Sequence, residues 1–308
     1  MAELKELSGV VPIIPTPFLE NEDIDEPGLR SLIEFAVNEG LQAVCLPAYA
    51  SEFYKLSNAE KLLVVNIAVD QAAGRIQIVA QSNSPSLKIA IKLAQENVAA
   101  GADVISLAVP RLFNLPETSI QDYLSGFLES IPNTPVLIQD FNPGGSSLSV
   151  FLINSLRMNH PNFKYLKLEE VLSASKIEDI ILKTEGKIGV FEGWGGLYSM
   201  ELIPVGIRGI MPGLGVSDIL QKVFVLRKEG KSQKAFEIFE RVMPQIFYSL
   251  QNMELFHYAE KELLMARGIL TNSRARRAAY IPDASSRQYI RELNERILKL
   301  VDDLKTDN

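Results

Sequence analysis

Lys167 and Glu169, a lysine and a carboxylate two residues apart, carry the first chemistry legible in this sequence. They lie in Lys164-Tyr165-Leu166-Lys167-Leu168-Glu169-Glu170. Tyr165, Leu166 and Leu168 fill a pleated surface well, and a loop rich in Asn and Pro precedes them, so the stretch is predicted to be a short strand. Side chains alternate along a strand, which puts Tyr165, Lys167 and Glu169 on one face and Lys164, Leu166 and Leu168 on the other. A lysine inside such a strand is costly unless it is paired or sheds its proton. Desolvation lowers its pKa, and a neutral amine is the nucleophile that makes a Schiff base with a carbonyl substrate. A surface strand with solvated lysines is the competing reading, and the rest of the chain decides between them.

Strand-like and helix-like stretches alternate around this one. Strands are predicted at Val10 to Ile14, Ala43 to Pro47, Ile76 to Ala80, Val104 to Val109 and Val136 to Asp140, then the lysine strand, Ile188 to Glu192, and Gly209 to Pro212. Helices are predicted between them at about Glu26 to Glu39, from a Ser57/Glu60 capping box, at Pro85 to Ala100, Ser119 to Ser130, Leu148 to Met158 and Ser173 to Lys183. Eight such units with short connections fit an α/β fold of the TIM type, a closed parallel (β/α)₈ barrel. A doubly wound open sheet is the alternative, but Pro15-Thr16-Pro17-Phe18 stands where its glycine-rich dinucleotide turn belongs. Past residue 229 only helices are predicted, at Ser232 to Asn252, Leu255 to Arg267 and Ser286 to Leu304. The expected organisation is a barrel over 1–228 carrying the active site and a C-terminal helical appendage over 229–308, too small for an independent domain.

Composition narrows the function. Of 308 residues, 47% are hydrophobic, enough for a full core, and the net charge of −7 with interspersed signs argues against nucleic acid or an anionic membrane as partner. Cys45, the single cysteine, lies in an apolar run and is expected to be a buried core thiol. Met1-Ala2-Glu3-Leu4-Lys5 has no apolar signal region and no run reaches transmembrane length, so a cytoplasmic protein is expected. No Cys/His cluster or paired-Asp spacing suggests a metal, and no cofactor is expected.

In a barrel of this kind catalytic groups sit at the C-terminal ends of strands. Those positions hold Pro15-Thr16-Pro17, Ala48-Tyr49-Ala50-Ser51-Glu52, Pro110-Arg111-Leu112-Phe113, Gln139-Asp140, Lys167 with Glu169, Glu192-Gly193-Trp194-Gly195-Gly196, and Met211-Pro212-Gly213. Together with Gly101-Ala102-Asp103, Gly206, Gly209 and Arg267-Gly268-Ile269-Leu270, they resemble the dihydrodipicolinate synthase/N-acetylneuraminate lyase family over nearly the whole chain. The resemblance implies a (β/α)₈ barrel, commonly a tetramer, that binds a 2-oxo acid as a Schiff base on Lys167.

The departures define a branch. The family's Gly-Thr-Thr-Gly-Glu loop is here Ala48-Tyr49-Ala50-Ser51-Glu52, without either threonine. The tyrosine expected after Pro110 is replaced by Arg111-Leu112, and the strand-five tyrosine aligns with Gln139, an amide that cannot titrate near neutral pH. The arginine that follows in the synthases is missing from Phe141-Asn142-Pro143-Gly144-Gly145. Authentic dihydrodipicolinate synthesis is therefore not expected. The combination is similar to the branch that includes 2-keto-3-deoxy-L-arabonate dehydratase, which implies dehydration or retro-aldol cleavage of a small 2-oxo acid.

On this reading Lys167 forms the Schiff base, Glu169 moves protons or else simply pairs with the lysine, and Gln139 hydrogen-bonds the carbinolamine or a carboxylate. Ala50 and Ser51 offer backbone N–H groups, and Ser51 a hydroxyl, to the substrate. Tyr49 and Tyr54 either restore a phenol or pack at a subunit contact. Arg111 either grips a distal carboxylate or faces solvent. Gly193 and Met211 line the substrate site, Glu52 ties down its loop, and His160 and His257 are structural. The partners expected are a small 2-oxo acid and further copies of the chain, as dimer or tetramer. A barrel that keeps the lysine but only binds 2-oxo acids is the competing function.

Overall fold

The computed structural model describes residues 6–111, 113–141 and 147–306. Leu112 and the Asn142-Pro143-Gly144-Gly145 loop, named above for what they lack, lie outside the described residues, as does the N-terminal pentapeptide.

The strands are β1 (Gly9–Val10), β2 (Ala43–Leu46), β3 (Gln77–Gln81), β4 (Val104–Ala108), β5 (Val136–Phe141), β6 (Phe163–Glu169), β7 (Gly189–Glu192) and β8 (Gly209–Ile210). Each pairs in parallel with its sequence neighbour from β2 to β8, and β1 returns to pair with β8. Ile13 closes the ring by bridging Cys45 on one side and Gly213 on the other. Regular pairing of β1 stops before the predicted Ile14 because Pro12 has no N–H to donate. The backbone bonds nonetheless run on, from Ile13 N–H to the Pro212 carbonyl and from Ile14 N–H to the Cys45 carbonyl.

Between the strands run α1 (Glu26–Asn38), α2 (Asn58–Ala72), α3 (Leu87–Ala99), α4 (Glu117–Ser130), α5 (Val150–Asn159), α6 (Ala174–Lys183), α7 (Ser199–Val205) and α8 (Ser217–Lys228). The Ser57/Glu60 capping box forms at the start of α2 as expected. No specific helix was expected at α7 or α8. The first is one short stretch with Pro204 inside it, which blurs any 3.6-residue period.

Alternation along the strands produces two cores. Leu166 and Leu168 point outward and pack with the helices, in the same cluster as Ile138, Val190 and Leu156. Tyr165 points inward with Val79, Leu137, Phe191 and Met211. The inner row of β6 therefore carries Tyr165, Lys167 and Glu169, as the spacing requires.

After the barrel come α9 (Ser232–Ser249), α10 (Met253–Ala266) and α11 (Ala284–Thr306). The first packs on α8 and α11. The second packs against two 3₁₀ turns of the barrel's C-terminal rim, Tyr49–Ser51 and Leu214–Val216. Among the described residues, no helix is long and apolar enough to cross a membrane.

Candidate active site

Lys167 and Glu169 each expose only 7% of their surface. Burial of a cation and a carboxylate is tolerable when they face each other, and Lys167 Nζ lies 3.1 Å from Glu169 Oε1. Gln139 sits beside Lys167 in the β5–β6 register and donates its Nε2–H to the same Glu169 oxygen at 2.6 Å. Gln81 of β3 donates in turn to the Gln139 carbonyl oxygen, which fixes the direction of the amide. A chain of side chains from three strands thus ends on one carboxylate. Cys45 is buried nearby, its thiol pushed up to about 12 by desolvation, so it is an inert core group as expected.

Gln139, Lys167 and Glu169 form the floor of a cavity of about 330 Å³ at the C-terminal mouth of the barrel. Tyr49, Ala50, Gly193, Trp194 and Met211 form its walls, with Phe141 from the end of β5. Its roof comes from the α9–α10 junction, through Leu250, Gln251, Asn252, Met253 and Phe256. Attention to strand ends misses this roof, because nothing local in a helical appendage marks it as lining a site. Asn252 caps α10 by accepting from the N–H groups of Glu254 and Leu255, which marks the start of a helix but not a site.

Gly193 is required by close approach. A Cβ there would stand 2.4 Å from Glu169 Cγ and 2.9 Å from Lys167 Cε, so the loop after β7 is pressed onto the Lys167–Glu169 pair. Glu192 holds that loop in place. Its carboxyl, 1% exposed, accepts the Trp194 N–H at 3.0 Å and the Gly196 N–H at 2.8 Å. Desolvation pushes Glu192 up to about 7 against those bonds and the pull of Lys167.

The loop after β2 assigns its residues differently from expectation. The Ser51 hydroxyl donates to the Ile14 carbonyl at 2.5 Å and accepts from the Ala48 N–H at 2.9 Å. Its own N–H donates to the Ala48 carbonyl. Ser51 is fully buried and does not line the cavity, so it shapes the loop and is not placed to touch substrate. The N–H of Ala50 has no partner among the described residues, as the first turn of a 3₁₀ helix requires, and it remains available. Tyr49 lines the cavity with its ring 5.7 Å from that of Phe141, and burial together with the Glu169 charge raises its pKa.

Glu52 does tie the loop down. It adopts the left-handed conformation, is fully buried, and pairs with Lys55 at 3.0 Å and with Lys261 of α10. Burial lowers Lys261 to about 8 despite that partner. Lys261 is nevertheless absent from the cavity lining. Tyr54 also stands outside the cavity, its hydroxyl bonded to Glu254 and lying 3.0 Å from His257 Nε2. Burial drives His257 down to about 3. His160 ends α5, with its N–H on the Leu156 carbonyl. Neither histidine lines the cavity.

Arg111 is not in the cavity either. It pairs with the buried Asp140 at 2.5 Å, and Asp140 also accepts the Leu148 N–H at 2.8 Å. The ion pair turns the guanidinium toward the outer side of β5, so neither the expected grip on a substrate carboxylate nor a solvent-facing side chain is what the structure gives.

Comparison with known proteins shows the family. Residues 6–304 match the dihydrodipicolinate synthetase family. The chain is 21% identical over 272 residues to L-2-keto-3-deoxyarabonate dehydratase of Azospirillum brasilense, covering 87% of each chain. It is 26% identical over 165 residues to the Escherichia coli K12 protein named "Probable 2-dehydro-3-deoxy-D-pentonate aldolase YjhH", covering 53% of this chain and 54% of that one. The crystal structure of dihydrodipicolinate synthase from Rhodopseudomonas palustris superposes with a TM-score of 0.88 at 25% identity, covering 94% of this chain and 97% of that one. With the lysine floor, the barrel and the roofing helices already in place, this chain belongs to the dihydrodipicolinate synthetase family of class I lyases.

Proposed function

We propose that the protein is a Schiff-base-forming lyase that acts on a 2-keto-3-deoxy sugar acid. The observation that carries this is the buried Lys167 on the cavity floor, with Glu169 at 3.1 Å and Gln139 orienting that carboxylate. Lys167 Nζ adds to the C2 carbonyl, and loss of water leaves an iminium that makes the C3 proton acidic. Glu169 takes that proton. Its hydrogen bond from Gln139 holds one oxygen in place while the carboxylate works. Dehydration follows when the C4 hydroxyl departs as water with the proton that Glu169 has taken; retro-aldol cleavage instead starts from the iminium with its C3 proton in place, when a base takes the C4 hydroxyl proton and the electron pair of the breaking C3–C4 bond flows into the iminium.

Ala50 offers its N–H to the substrate carboxylate, and Tyr49, kept protonated by burial and by Glu169, offers a hydrogen bond to a distal hydroxyl. A cavity of about 330 Å³ suits a small polar acid. Dehydration is favoured over cleavage because the dehydratase from Azospirillum brasilense matches across 87% of both chains, against about half for the aldolase. A barrel that only binds 2-oxo acids is not favoured, since a titratable group stands against the lysine. The homo-oligomer, dimer or tetramer, belongs to this reading, and the exposed Phe113, Phe151, Val171 and Leu172 side chains are suited to such contacts.

A steady-state screen of 2-keto-3-deoxy pentonates and hexonates tests it, reading pyruvate release for cleavage and a dehydrated 2-oxo product for dehydration. Turnover of at least one substrate by either route is expected. Binding with no turnover of any would leave the binding-only barrel standing.

A further inference from the structure

The barrel has a second concavity, of about 280 Å³, lined by residues that lead into β6, β7 and β8, at the end opposite the Lys167 cavity. Arg157, Lys164, Lys187 and Arg208 all line it, with Glu6 as the one carboxylate among the described residues in the same wall. This crowding of cations occurs in a chain whose net charge is −7. Two of the four are answered. Glu6 pairs with Arg208 at 2.5 Å, and Glu185 pairs with Lys187 at 2.8 Å. Glu185 also feels Arg157, but no carboxylate among the described residues lies within ion-pair reach of Arg157 or Lys164. The Arg157 guanidinium instead touches Met158 Sδ at 3.1 Å, a weak acceptor.

Like charges facing one concavity repel, and the low-dielectric wall of the barrel focuses their field into it. An anion relieves both effects. The floor is built to receive one. Tyr165 lines it and accepts the Leu7 N–H at 3.1 Å, which leaves its own hydroxyl proton without an acceptor among the described residues. Gly189 keeps the floor open, since a Cβ there would stand 3.1 Å from the Tyr165 ring and 3.3 Å from Arg208 Cβ.

We propose that this concavity is a binding site for a small dianion, best matched by a phosphate group. The Arg157 guanidinium fork and the Lys164 ammonium, which no described carboxylate answers, offer donors in more than one plane, which suits the tetrahedral oxygens of a phosphate better than a planar carboxylate. The ligand is not the substrate, because no group of the Lys167 cavity reaches this end. It would rest on Tyr165, which precedes Lys167 by two residues on the same inward row and packs edge-on against Phe191 at 5.9 Å.

Calorimetric titration at constant ionic strength tests the site, with inorganic phosphate, succinate and chloride as the three arms, on the wild-type protein and on an Arg157→Ala/Lys164→Ala variant. Both replaced side chains lie outside the catalytic cavity. Saturable phosphate binding is expected with a Kd of about 1 mM or tighter. The variant should weaken it by about tenfold or more, the range for losing hydrogen bonds to charged groups, while turnover without phosphate stays as in wild type. Phosphate that binds no better than chloride, or equally well to both proteins, overturns the site. Succinate that binds more tightly than phosphate overturns the assignment to a phosphate group.

Discussion

Gln139 donates to Glu169 Oε1 at 2.6 Å, the same carboxylate oxygen that Lys167 approaches at 3.1 Å. One oxygen is therefore held from two sides, and the other is left to meet a substrate in the cavity. An amide at position 139 cannot move a proton, but it can aim the carboxylate proposed to do so. This is how a barrel without a strand-five phenol can keep acid–base chemistry beside its Schiff base.

Glu169→Gln should keep covalent capture of a 2-oxo acid on Lys167 while lowering turnover roughly 10²- to 10⁴-fold, the usual span for losing a general acid–base group. Rapid-quench turnover beside adduct mass measures both. If the variant turns over like wild type, Glu169 is a structural partner and Tyr49 or water carries the proton.

Gly193→Ala should lower kcat by about 10²-fold, the scale of a misplacement of about 1 Å at a reacting centre. The added Cβ meets Glu169 Cγ at 2.4 Å and the Lys167 stem at 2.9 to 3.0 Å, so the reactive pair must shift. Thermal unfolding should change little, because the displaced groups border a cavity. Wild-type kcat in this variant would mean that the loop does not position the pair.

Condensation of pyruvate with aspartate semialdehyde should be negligible. Gln139 replaces a phenol, Ala50 lacks a hydroxyl, and the Ser51 hydroxyl is spent on Ile14 and Ala48. A coupled assay that returned about 1 s⁻¹ or more, within the ordinary enzyme range, would show that those positions have been assigned the wrong chemistry.

Glu260 of α10 offers a stability test. It accepts the Gly215 N–H at 2.6 Å beneath the rim of the cavity, and burial pushes its carboxyl from 4.5 up to about 7. Below pH 4.5 both folded and unfolded chains hold this proton. Between 4.5 and 7 the folded chain holds it and the unfolded chain releases it, so this group's contribution falls as pH rises, and the full cost is present above 7. Glu260→Gln can still accept from Gly215. Relative to the variant, wild type should therefore lose on the order of 2–4 kcal/mol of stability between pH 4.5 and 8. Denaturant unfolding at the two pH values measures it, and parallel pH curves for the two proteins would refute the assignment.

Much of the site could be read from spacing alone. The inward row of Tyr165, Lys167 and Glu169 follows from a period of two, which the closed barrel preserves. Gln139 lies on the neighbouring strand, and parallel register brought it alongside. Ser51 and Arg111 were harder to place, because a hydroxyl or guanidinium at a strand end has the same sequence signature whether it meets substrate or its own chain. Only the Ile14 carbonyl and Asp140 distinguish those cases, and both are tertiary partners. The roof from Leu250 to Phe256 was illegible for a similar reason, since it depends on where α10 docks, not on its local pattern.

The proposed reaction stands on Lys167 as the amine that captures the substrate carbonyl. Borohydride reduction in the presence of pyruvate, followed by peptide mass spectrometry, tests it most directly. One reduced adduct is expected, on Lys167, and it should disappear in Lys167→Ala while the fold is retained. No adduct at all would contradict it. So would an adduct on Lys261, which is fully buried and whose pKa is lowered to about 8 but whose amine is bound to Glu52 outside the cavity.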